Sequence, residues 1–474
     1  MSRLYIIPVL FFLACQGKSG KEADIPPNII YIMADDLGYG ELGCYGQAEI
    51  KTPNIDQLAR EGMRFTRHYA GTSVCAPSRC VLMTGLHTGH SVVRGNKEAE
   101  PYGQFQIPES TITVSGLLKK AGYRTALVGK WGLGVENTMG DPQRQGFDEF
   151  YGSYDQVHAH NAFPEYLYRN GQKEYLKNKV QYFPKTHWTR GMGSYATEKV
   201  DYSNDLFAEE ARIFIRKNRG NPFYLYLSFT APHINGEAPD GQKCEAPDSA
   251  VYGGKDWDRE RIFYASSITR MDRQVGSIMD LLRELKIDRN TLVIFTSDNG
   301  PEAGMDQFFN GSGILKGHKR DLYEGGIRVP LIAWWPGNIE AGSETAHISG
   351  FQDFLPTACD IAGVETPSGI DGISYLPALL GQSQKSHDFL YWEFHEQNNK
   401  QAVVLGNWKA VRLNVWDNPE GSIELYDLET DPSEKNNLSD KNPDILSKVA
   451  GIMTNAHQTD PEWPLFKSEA AVSK

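Results

Sequence analysis

Cys75 opens the run Cys75-Ala76-Pro77-Ser78-Arg79, inside GTSVCAPSRCVLMTG, and that run puts a sulfur nucleophile where a helix is predicted to start. Pro77 suits the first helical turn, where its missing N–H costs nothing, and Arg79 adds a fixed positive charge one turn in. A helix N-terminus offers free N–H groups and a partial positive charge, so an anion is its natural guest. Other polar groups follow directly on apolar runs. Asp35 and Asp36 come after NIIYIM, Lys130 after TALVG, His233 after YLYLSFTAP, and Asp298 with Asn299 after LVIFTS. Three carboxylates and one amide are hard oxygen donors, a set that suits Ca²⁺ with Mg²⁺ second, and it lacks the His and Cys that zinc prefers. Taken singly, each has a plainer reading: a buried Cys in a capped helix, a turn at Asp35-Asp36-Leu37-Gly38, a turn at Asp298-Asn299-Gly300.

The elements that must position these groups alternate short apolar strands with amphipathic helices, the pattern of an α/β fold. Strands are predicted over 28–33, 123–129, 222–229, 291–297 and within 329–337, and helices over 53–62, 110–121, 205–218, 262–286 and 351–362. In an open α/β sheet the ligand crevice lies at the carboxyl ends of the strands. The polar groups therefore predict convergence of four segments distant in sequence. From about residue 385 the texture changes to short strands without long helices, then one helix from Asn437 onward. The expected fold is a large mixed, mostly parallel sheet sandwiched by helices, with a smaller C-terminal antiparallel subdomain plus helix. The expected divisions are a leader and tether at 1–24, a catalytic domain at 25–380 and the subdomain at 381–474. The polar loop from Glu393 to Lys400 is expected at the rim of the pocket.

A formal charge of −12 over 474 residues argues against nucleic acid as a partner and makes any anion site a local island of cations and metal. The N-terminus, MSRLYIIPVLFFLAC, reads as an export signal with Arg3 before an apolar run. Its Phe12-Leu13-Ala14-Cys15 ending looks like a bacterial lipobox, with Cys15 lipidated; an ordinary cleaved secretory signal is the other reading. The expected location is the periplasm or the outer-membrane or cell surface of a bacterium, with membrane contact through the lipid alone. Five further cysteines exclude a dense disulfide framework, and Cys75 with Cys80 has no second pair to complete a zinc site.

With these residues in view, the chain resembles the type I sulfatases of the alkaline phosphatase superfamily along nearly its whole mature length. The motifs that carry the likeness are PNIIYIMADDLGYG, CAPSRCVLMTG, GKWGLG, YLYLSFTAPH, TSDNGP and GHKRDLYEGGIRVP. The resemblance implies that Cys75 is oxidised to formylglycine by a sulfatase-maturing enzyme, and that Asp35, Asp36, Asp298 and Asn299, with a formylglycine oxygen at position 75, hold Ca²⁺. It implies that Arg79 and Lys130 neutralise the sulfate, and that His233, as imidazolium, and Lys319 reach the ester oxygen. The implied reaction is attack of the hydrated aldehyde on sulfur, then release of sulfate as the aldehyde re-forms. A sulfated extracellular carbohydrate is the implied substrate. A phosphonate monoester or phosphodiester hydrolase of the same superfamily, or a catalytically decayed glycan-binding lipoprotein, is the alternative.

One departure matters. The family's G-K-W-H-L-G appears here as Gly129-Lys130-Trp131-Gly132-Leu133-Gly134, so a histidine is missing at 132. His158 and His160, in YDQVHAHNAFP, are the candidates to enter the site as base or substrate contact. Tyr154, Phe163, Tyr166, Tyr168 and Tyr182, in the aromatic-rich stretch from Tyr151 to Trp188, are candidate sugar-stacking faces.

Overall fold

The computed structural model describes residues 26–99, 103–183 and 193–472, so the predicted leader with Cys15 lies outside the described residues. Ten strands form the main sheet: β1 (Asn28–Asp35), β2 (Met63–Phe65), β3 (Arg124–Lys130), β4 (Glu149–Ser153), β5 (Tyr166–Arg169), β6 (Gln172–Tyr175), β7 (Phe223–Pro232), β8 (Thr291–Ser297), β9 (Leu331–Trp334) and β10 (Ser343–Thr345). Their spatial order is β10-β2-β9-β8-β1-β7-β3-β4-β5-β6. The central run from β8 to β4 is parallel, and antiparallel pairs flank it at β8–β9 and β4–β5.

β1 shows why the sheet must be covered twice. Its eight residues are all buried, as expected of a parallel strand between two helical layers. Ile29, Tyr31 and Met33 join the core under α2 (Cys75–Thr84), α3 (Val114–Lys120) and α7 (Phe354–Ala362). Ile30, Ile32 and Ala34 point the other way, into the core shared with α1 (Pro53–Glu61), α5 (Ser203–Asn218) and α6 (Arg259–Glu284). The helix predicted over 110–121 begins only at Val114, because the Thr113 side chain accepts from the Gly116 N–H at 3.1 Å and caps it there.

The smaller sheet is antiparallel, with β11 (Leu390–Phe394), β12 (Lys400–Leu405), β13 (Trp408–Leu413) and β14 (Ile423–Asp427) in sequence order. One face carries Tyr391, Val403, Ala410 and Leu425 against Val449 and Met453 of α8 (Pro443–Asn455). The other face sets Trp392, Phe394 and Val404 on Tyr69, Val74, Leu322 and Ile327 of the catalytic domain. Val74 is the residue before α2, so this seam packs directly behind Cys75. Among the described residues, no helix is long and apolar enough to cross a membrane.

Candidate active site

Strand ends build the floor of the site. Asp35 is the last residue of β1 and Lys130 the last of β3; His233 follows β7, and Asp298 with Asn299 follows β8. Parallel pairing aligns these ends, with Asp35 opposite Pro232 and Ala34 opposite Ser297. Gly129, just before Lys130, has φ +114°, and a Cβ there would lie 1.8 Å from the Ser228 carbonyl oxygen. Only glycine lets β3 approach β7 this closely.

Cys75 is the first residue of α2 and is buried. Burial pushes its thiol far above the ordinary value, outweighing the Lys130 ammonium beside it. The Sγ–H donates to Asp35 Oδ1 at 3.4 Å. Unmodified, this is a protonated thiol and a poor nucleophile. Arg79, fully buried, donates from Nε and Nη2 to Asp298 Oδ2 at 3.1 and 2.7 Å, and from Nη1 to the Lys130 carbonyl and to Ser228 Oγ. Lys130 Nζ donates to Asp35 Oδ2 at 2.7 Å, and Lys319 Nζ to Asp36 Oδ2 at 2.6 Å.

Three carboxylates thus face three cations, and the balance is uneven. Burial would raise Asp35, but the Lys130 and Arg79 cations outweigh it and hold that carboxyl well below its usual range. Asp298 goes the other way: burial and the charge of Asp35 push it up to about 7. Asn299 donates its Nδ2 to Asp36 Oδ1 at 2.8 Å, which leaves its buried Oδ1 with no partner among the described residues. Ligand atoms of Asp35, Asp36, Cys75 and His233 all lie within 4.8 Å of one another. An orphaned amide oxygen, a carboxylate under like-charge pressure and an oxygen-rich donor set fit a hard divalent cation.

His233 donates Nδ1–H to the Ile234 carbonyl at 2.7 Å, so its Nε2 is the acceptor for Lys319 Nζ at 3.2 Å. Burial and the Lys319 charge hold its pKa well below the ordinary histidine value. In this arrangement the ring accepts through Nε2 and Lys319 carries the proton of the pair.

The two candidate histidines of α4 (Gln156–His160) part company. His160 lines the pocket, stacks on His233 with centroids 4.5 Å apart, and pairs Nδ1 with Glu237 Oε2 at 3.0 Å. His158 does not line it: its ring is buried against Tyr166, with Nε2 unpartnered among the described residues. The predicted stacking aromatics also turn elsewhere. Tyr154 packs on Phe150 and Tyr168, Phe163 packs on Tyr202, and Tyr182 donates its hydroxyl to Glu165.

The cleft above the floor has a volume of about 340 Å³ and adds residues that the motifs did not single out, among them Asn96, Gln156, Glu302, Arg320 and Glu396. Gln156 occupies the side of the missing histidine: a Cβ on Gly132 would touch its Cγ at 3.3 Å. Gln156 is held by donating Nε2 to Asn96 Oδ1 at 3.0 Å. Glu396, from the predicted rim loop, reaches the cleft from the small sheet.

A nucleophile position at a helix start, set among carboxylates and cations at parallel strand ends, defines a hydrolase of the alkaline-phosphatase-like fold acting on a tetrahedral anion. The chain belongs to the Sulfatase family, whose profile matches residues 27–364; residues 317–457 match the C-terminal family of N-sulphoglucosamine sulphohydrolase. It is similar to N-acetylgalactosamine-6-sulfatase of Sus scrofa, 34% identical over 86% of this chain and 76% of that protein. It is also 30% identical to N-acetylgalactosamine-6-O-sulfatase of Bacteroides thetaiotaomicron, over 90% of this chain and 92% of that one. Among solved structures, Ps i-CgsB in complex with k-i-k-neocarrahexaose superposes with a TM-score of 0.76 at 28% identity, covering 94% of this chain and 96% of that one. The protein is thus a sulfatase, a sulfuric ester hydrolase of type I.

Proposed function

We propose that this sulfatase removes an O-sulfate from an extracellular sulfated saccharide, through a formylglycine made from Cys75 and with Ca²⁺ at Asp35, Asp36, Asp298 and Asn299. The observation that carries the reading is the meeting of Cys75, at the first position of α2, with those oxygen donors and with Lys130, Lys319 and His233. Ca²⁺ would supply a Lewis acid for sulfate oxygens, and the aldehyde hydrate a nucleophilic hydroxyl.

The chain's own residues do the rest. Lys130 and Lys319 place buried positive charge where a sulfate ester gains negative charge in the transition state. Arg79 is spent on Asp298 and the β3 carbonyl, so it fixes the donor geometry of the floor. The Lys319–His233 pair holds the proton destined for the leaving sugar oxygen. His160, oriented by Glu237, is the pocket's second imidazole and substrate contact.

The names of these relatives favour an N-acetylgalactosamine 6-sulfate. Export by a leader ending at a lipidated Cys15 completes the reading. The test is sulfate and phosphate release from a panel of sulfated monosaccharides and aryl phosphodiesters. The protein is co-produced with a formylglycine-generating enzyme, with Cys75→Ala as control. Cys75-dependent sulfate release from a sugar is expected; turnover of phosphodiesters alone would overturn the substrate class.

A further inference from the structure

Above the floor, every cation of the pocket already has a carboxylate. Arg320 donates Nε to Glu396 Oε2 at 3.2 Å, Lys319 lies 2.6 Å from Asp36 and 3.8 Å from Glu302, and His160 is tied to Glu237. The remaining polar lining, Asn96 and Gln156, is neutral. Glu396 Oε1 is enclosed and has no hydrogen-bond donor among the described residues, so the charge of this carboxylate is only partly answered. The arrangement is also held in place. Arg320 adopts a left-handed backbone at φ +73°, its N–H donates to the Ser73 carbonyl at 2.9 Å, and Lys400 of β12 donates to its carbonyl at 2.8 Å.

We propose that this rim selects a singly sulfated sugar whose linked neighbours are uncharged, with Glu396 as the specificity-determining side chain. The proposal rests on the reading that a sulfate ester occupies the floor. One ester charge is answered there. A uronate or a second sulfate on the adjoining residue would meet the two carboxylates Glu302 and Glu396 against the single guanidinium of Arg320, whose Nε is already given to Glu396. Hydroxyl and acetamido groups carry no such charge and suit the amides of Asn96 and Gln156. The substrate class is therefore a neutral-backbone glycan rather than a uronate-bearing one.

The test compares two disaccharides with the same sulfated hexose, one linked to N-acetylhexosamine and the other to a uronic acid. The readout is the ratio of their kcat/KM values, in which a general loss of activity cancels. Matured wild-type enzyme is expected to favour the neutral partner by about tenfold at low salt, and ~0.5 M salt should shrink that preference, since exposed charges are then screened. Glu396→Gln should shrink it by about fivefold, as Arg320 becomes free to receive the uronate. If that variant does not fold, the salt series on the wild type decides alone. Equal or better use of the uronate disaccharide by the wild type, or a preference indifferent to salt, overturns the proposal. Release of sulfate from neither disaccharide, with a silent monosaccharide panel, removes the reading of the reaction itself and this proposal with it.

Discussion

The floor of the pocket and the seam under the small sheet both bury carboxylates against cations, yet they relieve the resulting pressure differently. In the seam, Glu324 is fully buried and takes Lys409 Nζ at 3.0 Å, the Tyr69 hydroxyl at 3.0 Å and Arg328 at 3.4 Å. Its neighbour Glu434 accepts the Glu324 N–H, and burial pushes its carboxyl up to about 8, so a proton relieves the crowding. On the floor, Asp298 is under the same kind of pressure and Asn299 keeps an orphaned oxygen, but this cluster lies beneath a cleft lined by Cys75, His233 and Lys319. In the proposed reading a divalent cation does there what a proton does in the seam. Similar ingredients thus make a structural clamp in one place and a site in the other, according to what can reach them.

The largest expected effect separates chemistry from stability. Cys75→Ala in matured protein should lower sulfate release by at least ~10⁴-fold, as loss of a covalent nucleophile does, while the melting temperature stays within a few degrees. Residual turnover within tenfold of wild type would remove Cys75 from the mechanism. Lys409→Met should act in reverse. It strands Glu324 without its ammonium and should cost about 3–5 kcal/mol of stability, read as a lower urea midpoint, with KM unchanged in the absence of denaturant. An unmoved midpoint would mean that the seam does not depend on this pair.

Chelation probes the contrast directly. Removing divalent cations with EDTA should lower the melting temperature by several degrees, and Ca²⁺ should restore it, because a ligand that binds only the folded state stabilises it. Asn299→Ala should blunt the Ca²⁺-dependent shift, and Glu434→Gln should leave it intact. The same response in Asn299→Ala as in wild type would place the cation elsewhere.

The smallest effect is a pH dependence from the seam. Glu434 is raised in the folded state from 4.5 to about 8, so the native protein keeps a proton that the unfolded chain has released. Its contribution is fully present below about pH 4.5 and is lost as pH rises toward 8. Glu434→Gln should gain stability relative to wild type at pH 8 compared with pH 5, read by denaturant titration. A pH-independent difference would show that Glu434 does not hold that proton.

The floor was legible because each of its groups sits where a strand pattern stops. Asp35, Lys130, His233 and Asp298 could be read against the apolar runs before them, and the helix beginning at Cys75 against Pro77. The walls were not legible in this way. The polar loop that carries Glu396 was expected at the rim, but Asn96 and Glu302 lie on loops with no periodic signal, Gln156 opens α4, and His158 and His160, two residues apart, differ in fate because one short helical turn sends one ring to Tyr166 and the other to His233. The aromatics misled for a related reason: Tyr154 and Phe163 are large and apolar enough to be claimed by the core.

The sequence by itself determined the α/β architecture, the change of texture near residue 385, and the strand-end placement of Asp35, Lys130, His233 and Asp298. Hydrophobic period and strand-end position are local properties of the chain. Tertiary structure alone decided that His233 accepts from Lys319, that Gln156 stands beside Gly132, and that Arg320 pairs with Glu396. Proton placement and pocket shape depend on burial and on neighbours tens of residues away, and neither is written in any one stretch of sequence.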